Sequence, residues 1–137
     1  MDQICEKVWR GMSQTILVCD DDKEIAAAVD IYLTAEGYRV IKAYDGLQAL
    51  EQLQNNPDVQ LILMDIKMPL KNGYEAAEEI RKSSHPDAET VPIIAMTANS
   101  FKEDMDAAFA SGMNGFVPKP IDIGYLNQVM EENLKKE

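Results

Sequence analysis

Five short apolar runs punctuate the chain, and the segments between them carry apolar residues at helical spacing. Thr15-Ile-Leu-Val-Cys19 is the first run, and it stops at Asp20-Asp21-Asp22. The next segment places Ile25, Ala28, Val29, Tyr32 and Leu33 on one helix face, with Gly37 as the glycine that ends it. Tyr38 to Ala43 is a second strand. Asp45-Gly-Leu-Gln48 has capping-box spacing and opens a helix through Leu47, Leu50 and Leu53, broken by Asn55-Asn56-Pro57. Val59 to Met64 is a third strand with few polar positions, as a strand covered on both faces should be, and Asp65 ends it. After a Met68-Pro69 loop, Asn72-Gly-Tyr-Glu75 repeats the capping-box spacing and starts a third helix through Ala77 and Ile80. A polar loop from Ser83 to Thr90 holds His85 and Pro86. Val91 to Met96 is a fourth strand, with Pro92 tolerable at its start. Ser100-Phe-Lys-Glu103 caps a fourth helix with Phe101, Met105, Ala108 and Phe109 on one face. Gly115 to Pro118 is a short fifth strand, and Asp122 caps a last helix carrying Leu126, Val129, Met130 and Leu134.

Five strand-helix units in strict alternation predict an α/β fold, a parallel sheet with helices on both faces and right-handed crossovers. For five units the expected topology is flavodoxin-like, doubly wound (βα)5, with strand order 2-1-3-4-5. Residues 1–11 fit none of these units. They are expected to be a tail, an upstream linker or a misplaced start, with residues 12–137 forming the domain. The competing expectation is a docked extra helix carrying Trp9, and short helices rarely stand on propensity alone. The last helix reaches Lys135-Lys136-Glu137, so the expectation is a stand-alone domain or a piece of a longer protein.

Composition narrows the classes. The chain has 137 residues, 46% hydrophobic and 27% charged, an ordinary globular balance. No apolar run approaches the roughly 18 residues that cross a bilayer, and the first residues lack a signal-peptide core. The cytoplasm is the expected compartment, without membrane contact. The formal net charge of −11 argues against direct nucleic-acid binding, which needs a basic footprint. Cys5 and Cys19 form no disulfide framework, and Cys19 reads as a buried thiol.

The acidic residues become informative where they gather. In open parallel sheets, ligands bind beyond the carboxyl ends of the strands. Those ends carry Asp20-Asp21-Asp22 after the first strand, Asp65 after the third, Thr97 after the fourth and Lys119 after the fifth. Strands one and three are neighbours in the expected order, so their carboxylates converge. Two like charges about 4 Å apart repel by roughly 4 kcal/mol at an effective dielectric of 20, so such a cluster raises a pKa or takes a cation. Hard oxygen ligands with room for water suit Mg2+. A carboxylate can attack a phosphoryl donor to form an acyl phosphate, given in-line positioning and neutralised equatorial oxygens. Mg2+, Lys119 and the Thr97 hydroxyl would supply these.

Leu17-Val-Cys-Asp-Asp21, Leu63-Met-Asp65-Ile-Lys-Met-Pro69, Ala95-Met-Thr97-Ala98 and Val117-Pro-Lys119-Pro120 resemble the four signature blocks of response-regulator receiver domains of two-component phosphorelays. The resemblance covers about residues 15 to 135. It implies Asp65 as phosphoacceptor, with Asp21, Asp65 and the backbone carbonyl of Lys67 as direct Mg2+ ligands and Asp20 acting mostly through water. Thr97 and Lys119 would hold phosphoryl oxygens, Phe116 would reorient as Thr97 moves, and the Lys119-Pro120 bond would be cis. A sensor histidine kinase or histidine phosphotransfer protein would be the donor. The surface of the fourth helix, fifth strand and fifth helix would meet a downstream effector protein or output domain. Ile94 to Asn99 and Ala110 to Gly115 look most like receivers of hybrid histidine kinases. Pro118 departs from the usual pattern and removes a donor from an edge strand, while Lys67 and Asn99 flank the route of attacking water.

Simpler roles compete at several positions. Asp22 and Asp45 read as helix caps, Phe116 could be core packing, and His85 is expected to be solvated. The chain is expected to be no enzyme beyond its own phosphorylation and dephosphorylation. One alternative is a phosphatase with an aspartyl-phosphate intermediate. Such hydrolases place a second Asp shortly after the nucleophile, whereas Ile66, Lys67 and Met68 follow Asp65. A phosphate-independent pseudo-receiver is the other, and retention of Asp20, Asp21, Asp65, Thr97 and Lys119 counts against it.

Overall fold

The computed structural model describes residues 14–68, 71–98 and 102–134. The expectations for residues 1–11, for the Ser100–Glu103 cap, for Phe101 and for Asn99 lie outside the described residues or side chains.

The strands are β1 (Thr15–Cys19), β2 (Arg39–Ala43), β3 (Val59–Asp65), β4 (Ile93–Thr97) and β5 (Gly115–Pro118). The helices are α1 (Lys23–Ala35), α2 (Gly46–Asn55), α3 (Gly73–Arg81), α4 (Lys102–Ala110) and α5 (Ile123–Asn133). All strand pairs are parallel, in the order β2-β1-β3-β4-β5 that the alternation predicts. Side chains alternate across the sheet and build two cores. Ile16, Val18, Leu61, Leu63 and Ile94 face α1 and α5, while Leu17, Ile62, Met64, Ile93 and Ala95 face α2, α3 and α4. Both faces of β1 and β4 are therefore buried.

Local chemistry sets the boundaries. Asp22 accepts from the amides of Glu24 and Ile25, capping α1, and Asp122 accepts from Tyr125 to cap α5. At the other end of α1, Gly37 takes φ 98° while Tyr38 N donates to Leu33 O and Gly37 N to Thr34 O. That closure uses Tyr38, so β2 starts one residue later than the apolar run. β4 likewise begins at Ile93: Val91 N closes a turn on Asp87 O, and the Pro92 carbonyl accepts from Ile62 N. Asn72 and Glu75 make the full reciprocal capping box of α3. Asp45 accepts from Gln48 N, but the Gln48 side chain returns to Tyr44 N, so only half of that box forms.

Some expected core positions move. Ala26, not Ala28, is buried on α1, and Leu47 is 50% exposed on α2, where Gly46 and Ala49 face inward. Phe109 is also 50% exposed, leaving Ala108 as the buried residue of α4 among its described side chains. His85, expected in solvent, is buried. Its Nδ1 accepts from Asp87 N and its carbonyl from Ala88 N, which folds the loop back over the ring.

Candidate functional site

Sheet register gathers the acidic residues. Cys19 pairs with Met64, so Asp20 and Asp65 emerge side by side, and Asp65 pairs with Met96 one residue before Thr97. Thr97 pairs with Pro118, and Lys119 N donates to Thr97 O at 2.8 Å, carrying that ladder one residue further. Four neighbouring strands thus deliver Asp20, Asp65, Thr97 and Lys119 to one end of the sheet. Asp20, Asp65 and Thr97 are all buried.

Asp20 is fully buried, with Oδ1 accepting from Asp22 N at 2.9 Å. Lys119 Nζ lies 2.9 Å from Asp20 Oδ2 and 3.1 Å from Asp65 Oδ1. The second contact is a hydrogen bond; the first is an ion pair without hydrogen-bond alignment, so Asp20 Oδ2 is a buried acceptor with no hydrogen-bond partner. Asp21 is exposed and completes the cluster: one carboxylate oxygen from each of Asp20, Asp21 and Asp65 lies within 4.8 Å of the others.

The electrostatics follow from that crowding. Burial and the Asp20 carboxylate push the Asp65 carboxyl up to about 6, although Lys119 pulls the other way. Burial works against the Lys119 ammonium, but Asp20 and Asp65 outweigh it and hold its pKa above the ordinary lysine value. One lysine does not neutralise three carboxylates. The excess of carboxylates over lysine and the raised Asp65 carboxyl both fit a hard divalent cation with oxygen ligands. Cys19 is no competitor: burial, reinforced by Asp20 and Asp45, pushes its thiol well above the usual range and keeps it protonated.

The remaining site candidates have defined places. Lys67 lies two residues beyond Asp65, with its side chain exposed. Phe116 is half-buried on β5 against the core beneath α2, α3 and α4. The Lys119-Pro120 peptide is cis.

The sequence reading passed over two supporting residues. Gly73 N donates to Ile66 O at 2.8 Å, and a Cβ at Gly73 would lie 2.5 Å from the Asp65 carbonyl oxygen. Only glycine lets α3 begin against the backbone of Asp65. Its position just inside a capping box was the one available signal. Arg81 forks from the last turn of α3 to the carbonyls of Gly112, Ala88 and Val91 and to Asn114 Oδ1. Those partners are up to 33 residues away, and nothing local announces them.

The five-stranded parallel α/β sheet thus carries three converging carboxylates, two of them buried, and a lysine at its carboxyl end. Residues 16–131 match the response regulator receiver domain family, and the chain belongs to it. It is 38% identical over 107 residues to the Vibrio cholerae CAI-1 autoinducer sensor kinase/phosphatase CqsS, covering 78% of this chain and 15% of that protein. The chain thus spans a small part of that relative. The receiver domain of the Pseudomonas aeruginosa sensor histidine kinase PA1611, solved with a magnesium ion in its active-site cleft, superposes with a TM-score of 0.80. It shares 32% identity and covers 88% of this chain and 97% of its own. Vibrio cholerae chemotaxis protein CheY4 gives a TM-score of 0.83 at 28% identity, covering 88% of this chain and 98% of its own. Among the described residues, no helix is long and apolar enough to cross a membrane.

Proposed function

We propose that this receiver domain is a phosphorylation-controlled switch in which Asp65 is the phosphoacceptor. The observation that carries the reading is the convergence of Asp20, Asp65 and Lys119 at ion-pair distances where four strands end. Asp20, Asp21, Asp65 and the Lys67 carbonyl would hold Mg2+, a reading the converging carboxylate oxygens support. The bound cation would offset the carboxylate cluster, keep Asp65 ionised and neutralise charge on the phosphoryl oxygens. An Asp65 carboxylate oxygen forms the new bond to phosphorus while the bond to the donor imidazole nitrogen breaks, and the electron pair returns to the imidazole. Lys119, 3.1 Å from Asp65 Oδ1, would accept the added negative charge, and Thr97 at the adjoining strand end would hydrogen-bond a phosphoryl oxygen.

The donor is a phosphohistidine of a sensor kinase or phosphotransfer protein. The output surface is formed by α4, β5 and α5, where Phe109, Ile123 and Tyr125 are exposed at 50%, 42% and 37%. Phe116 on β5, half-buried against the core, would couple that surface to the site. This is regulated binding by a signalling module, with the covalent chemistry confined to its own aspartate.

Titration calorimetry with Mg2+ tests the cation site. Wild-type protein should bind Mg2+, and Asp21→Asn should weaken binding at least about tenfold, since a charged oxygen ligand is lost. Equal affinity in the two proteins would remove Asp21 from the site.

A further inference from the structure

Among the described side chains of α4, only Ala108 is buried, so polar ties from neighbouring elements add to what packing holds in place. α3 supplies one such tie to α4 and another to the loop that follows it. Near the start of α4, the Tyr74 hydroxyl donates to the Asp104 carbonyl oxygen at 3.2 Å. Just past its end, the Arg81 fork grips the Gly112 carbonyl at 2.6 Å and the Asn114 side chain at 2.8 Å. The two ties differ in kind. Arg81 grips the loop leading into β5, whereas Tyr74 touches α4 itself.

Tyr74 is also fixed relative to Asp65. It follows Gly73, whose amide is bonded to Ile66 O and whose α-carbon lies against the Asp65 carbonyl. Its ring packs on the core that α2, α3 and α4 share, which aims the hydroxyl across to α4. A route of direct contacts therefore runs from the Asp65 backbone through Gly73 and Tyr74 to Asp104, apart from Thr97 and Phe116. In this arrangement the Lys119 ammonium pairs with both Asp20 and Asp65.

We propose that the Tyr74 hydroxyl is a latch that holds α4 in the resting position and so sets how readily the domain switches. The inference rests on the switch reading given above, and adds to it that α4 shifts away from α3 when Asp65 carries a phosphoryl group. Asp104 keeps its carbonyl in any helical state, so shifting α4 away from α3 breaks the bond without stranding an intrahelical partner. A bond present in one state only biases the equilibrium by its own net strength.

The test is beryllofluoride binding in saturating Mg2+, measured by calorimetry on wild type, Tyr74→Phe and Val29→Ala. Tyr74→Phe keeps the ring and removes only the hydroxyl. It should bind beryllofluoride roughly two- to tenfold more tightly than wild type, the range set by one neutral hydrogen bond. Its Mg2+ affinity without beryllofluoride should stay unchanged, and amides of α4 should exchange faster. Val29→Ala loosens the core beneath α1 and should leave beryllofluoride affinity as in wild type. Equal affinity of wild type and Tyr74→Phe would overturn the latch, as would tightening by Val29→Ala to the same degree. Failure of wild type to bind beryllofluoride would overturn the switch reading, and the latch with it.

Discussion

Asp65 and Lys119 are held by each other, but Asp20 stabilises the lysine and crowds the aspartate. Lys119 bonds Asp65 Oδ1, yet burial and Asp20 still push the Asp65 carboxyl up to about 6. A folded-state pKa above the unfolded value means that protonation stabilises the fold. Asp65's contribution is therefore complete below 3.8 and is lost as the pH rises through about 6. Asp65→Asn should remove this dependence and raise stability of the metal-free protein at pH 7.5 by about 1–2 kcal/mol, after allowing for screening by water that reaches the pocket. Urea unfolding in EDTA at pH 4.5 and 7.5 checks it: wild type should lose stability between the two, and Asp65→Asn should lose less. A wild-type curve flat from pH 4.5 to 7.5 would contradict the crowding argument. At this scale the sequence was most readable where chemistry demands a particular group. Asp20, Asp21, Asp65, Thr97 and Lys119 announced themselves because each sits at the carboxyl end of an apolar run. His85 did not, because its burial depends on the turn that its own Nδ1 builds with Asp87.

The elements were legible to the extent that periodicity and caps decide them. Asn72 and Glu75 start α3 as written, and Asp22, Asp45 and Asp122 cap their helices. Which apolar residue faces inward was less readable. On α1, Ala26 and Ala28 both lie near the apolar stripe, and only the fit against the sheet buries the former. On α2, the close approach of Gly46 to the Lys71 backbone turns the helix so that Leu47 points outward. Long-range ties escaped altogether, Arg81 above all. Arg81→Ala would leave the carbonyls of Ala88, Val91 and Gly112 without their charged donor and should destabilise the domain by about 2–4 kcal/mol. Arg81→Lys should recover little, since one ammonium cannot span partners on two loops. Chemical denaturation of both variants measures this, and a lysine variant as stable as wild type would show that the fork is dispensable.

Taken as a whole, the molecule is a scaffold that brings strand ends together between two layers of helices. Two apolar cores fix the sheet from both sides, so the positions of Asp20, Asp65, Thr97 and Lys119 are set by packing distributed along most of the chain. The net charge of −11 adds a general field that favours cations and basic partner surfaces. Within that frame the central claim is chemical and can be located to a single residue. The direct measurement is to treat the protein with acetyl phosphate and Mg2+, reduce the acyl phosphate with borohydride, and map the resulting homoserine by peptide mass spectrometry. Conversion at position 65, dependent on Mg2+ and absent from Asp65→Asn, is the predicted result. Homoserine at another position, or an unchanged yield in Asp65→Asn, would contradict the assignment of Asp65 as the phosphoacceptor.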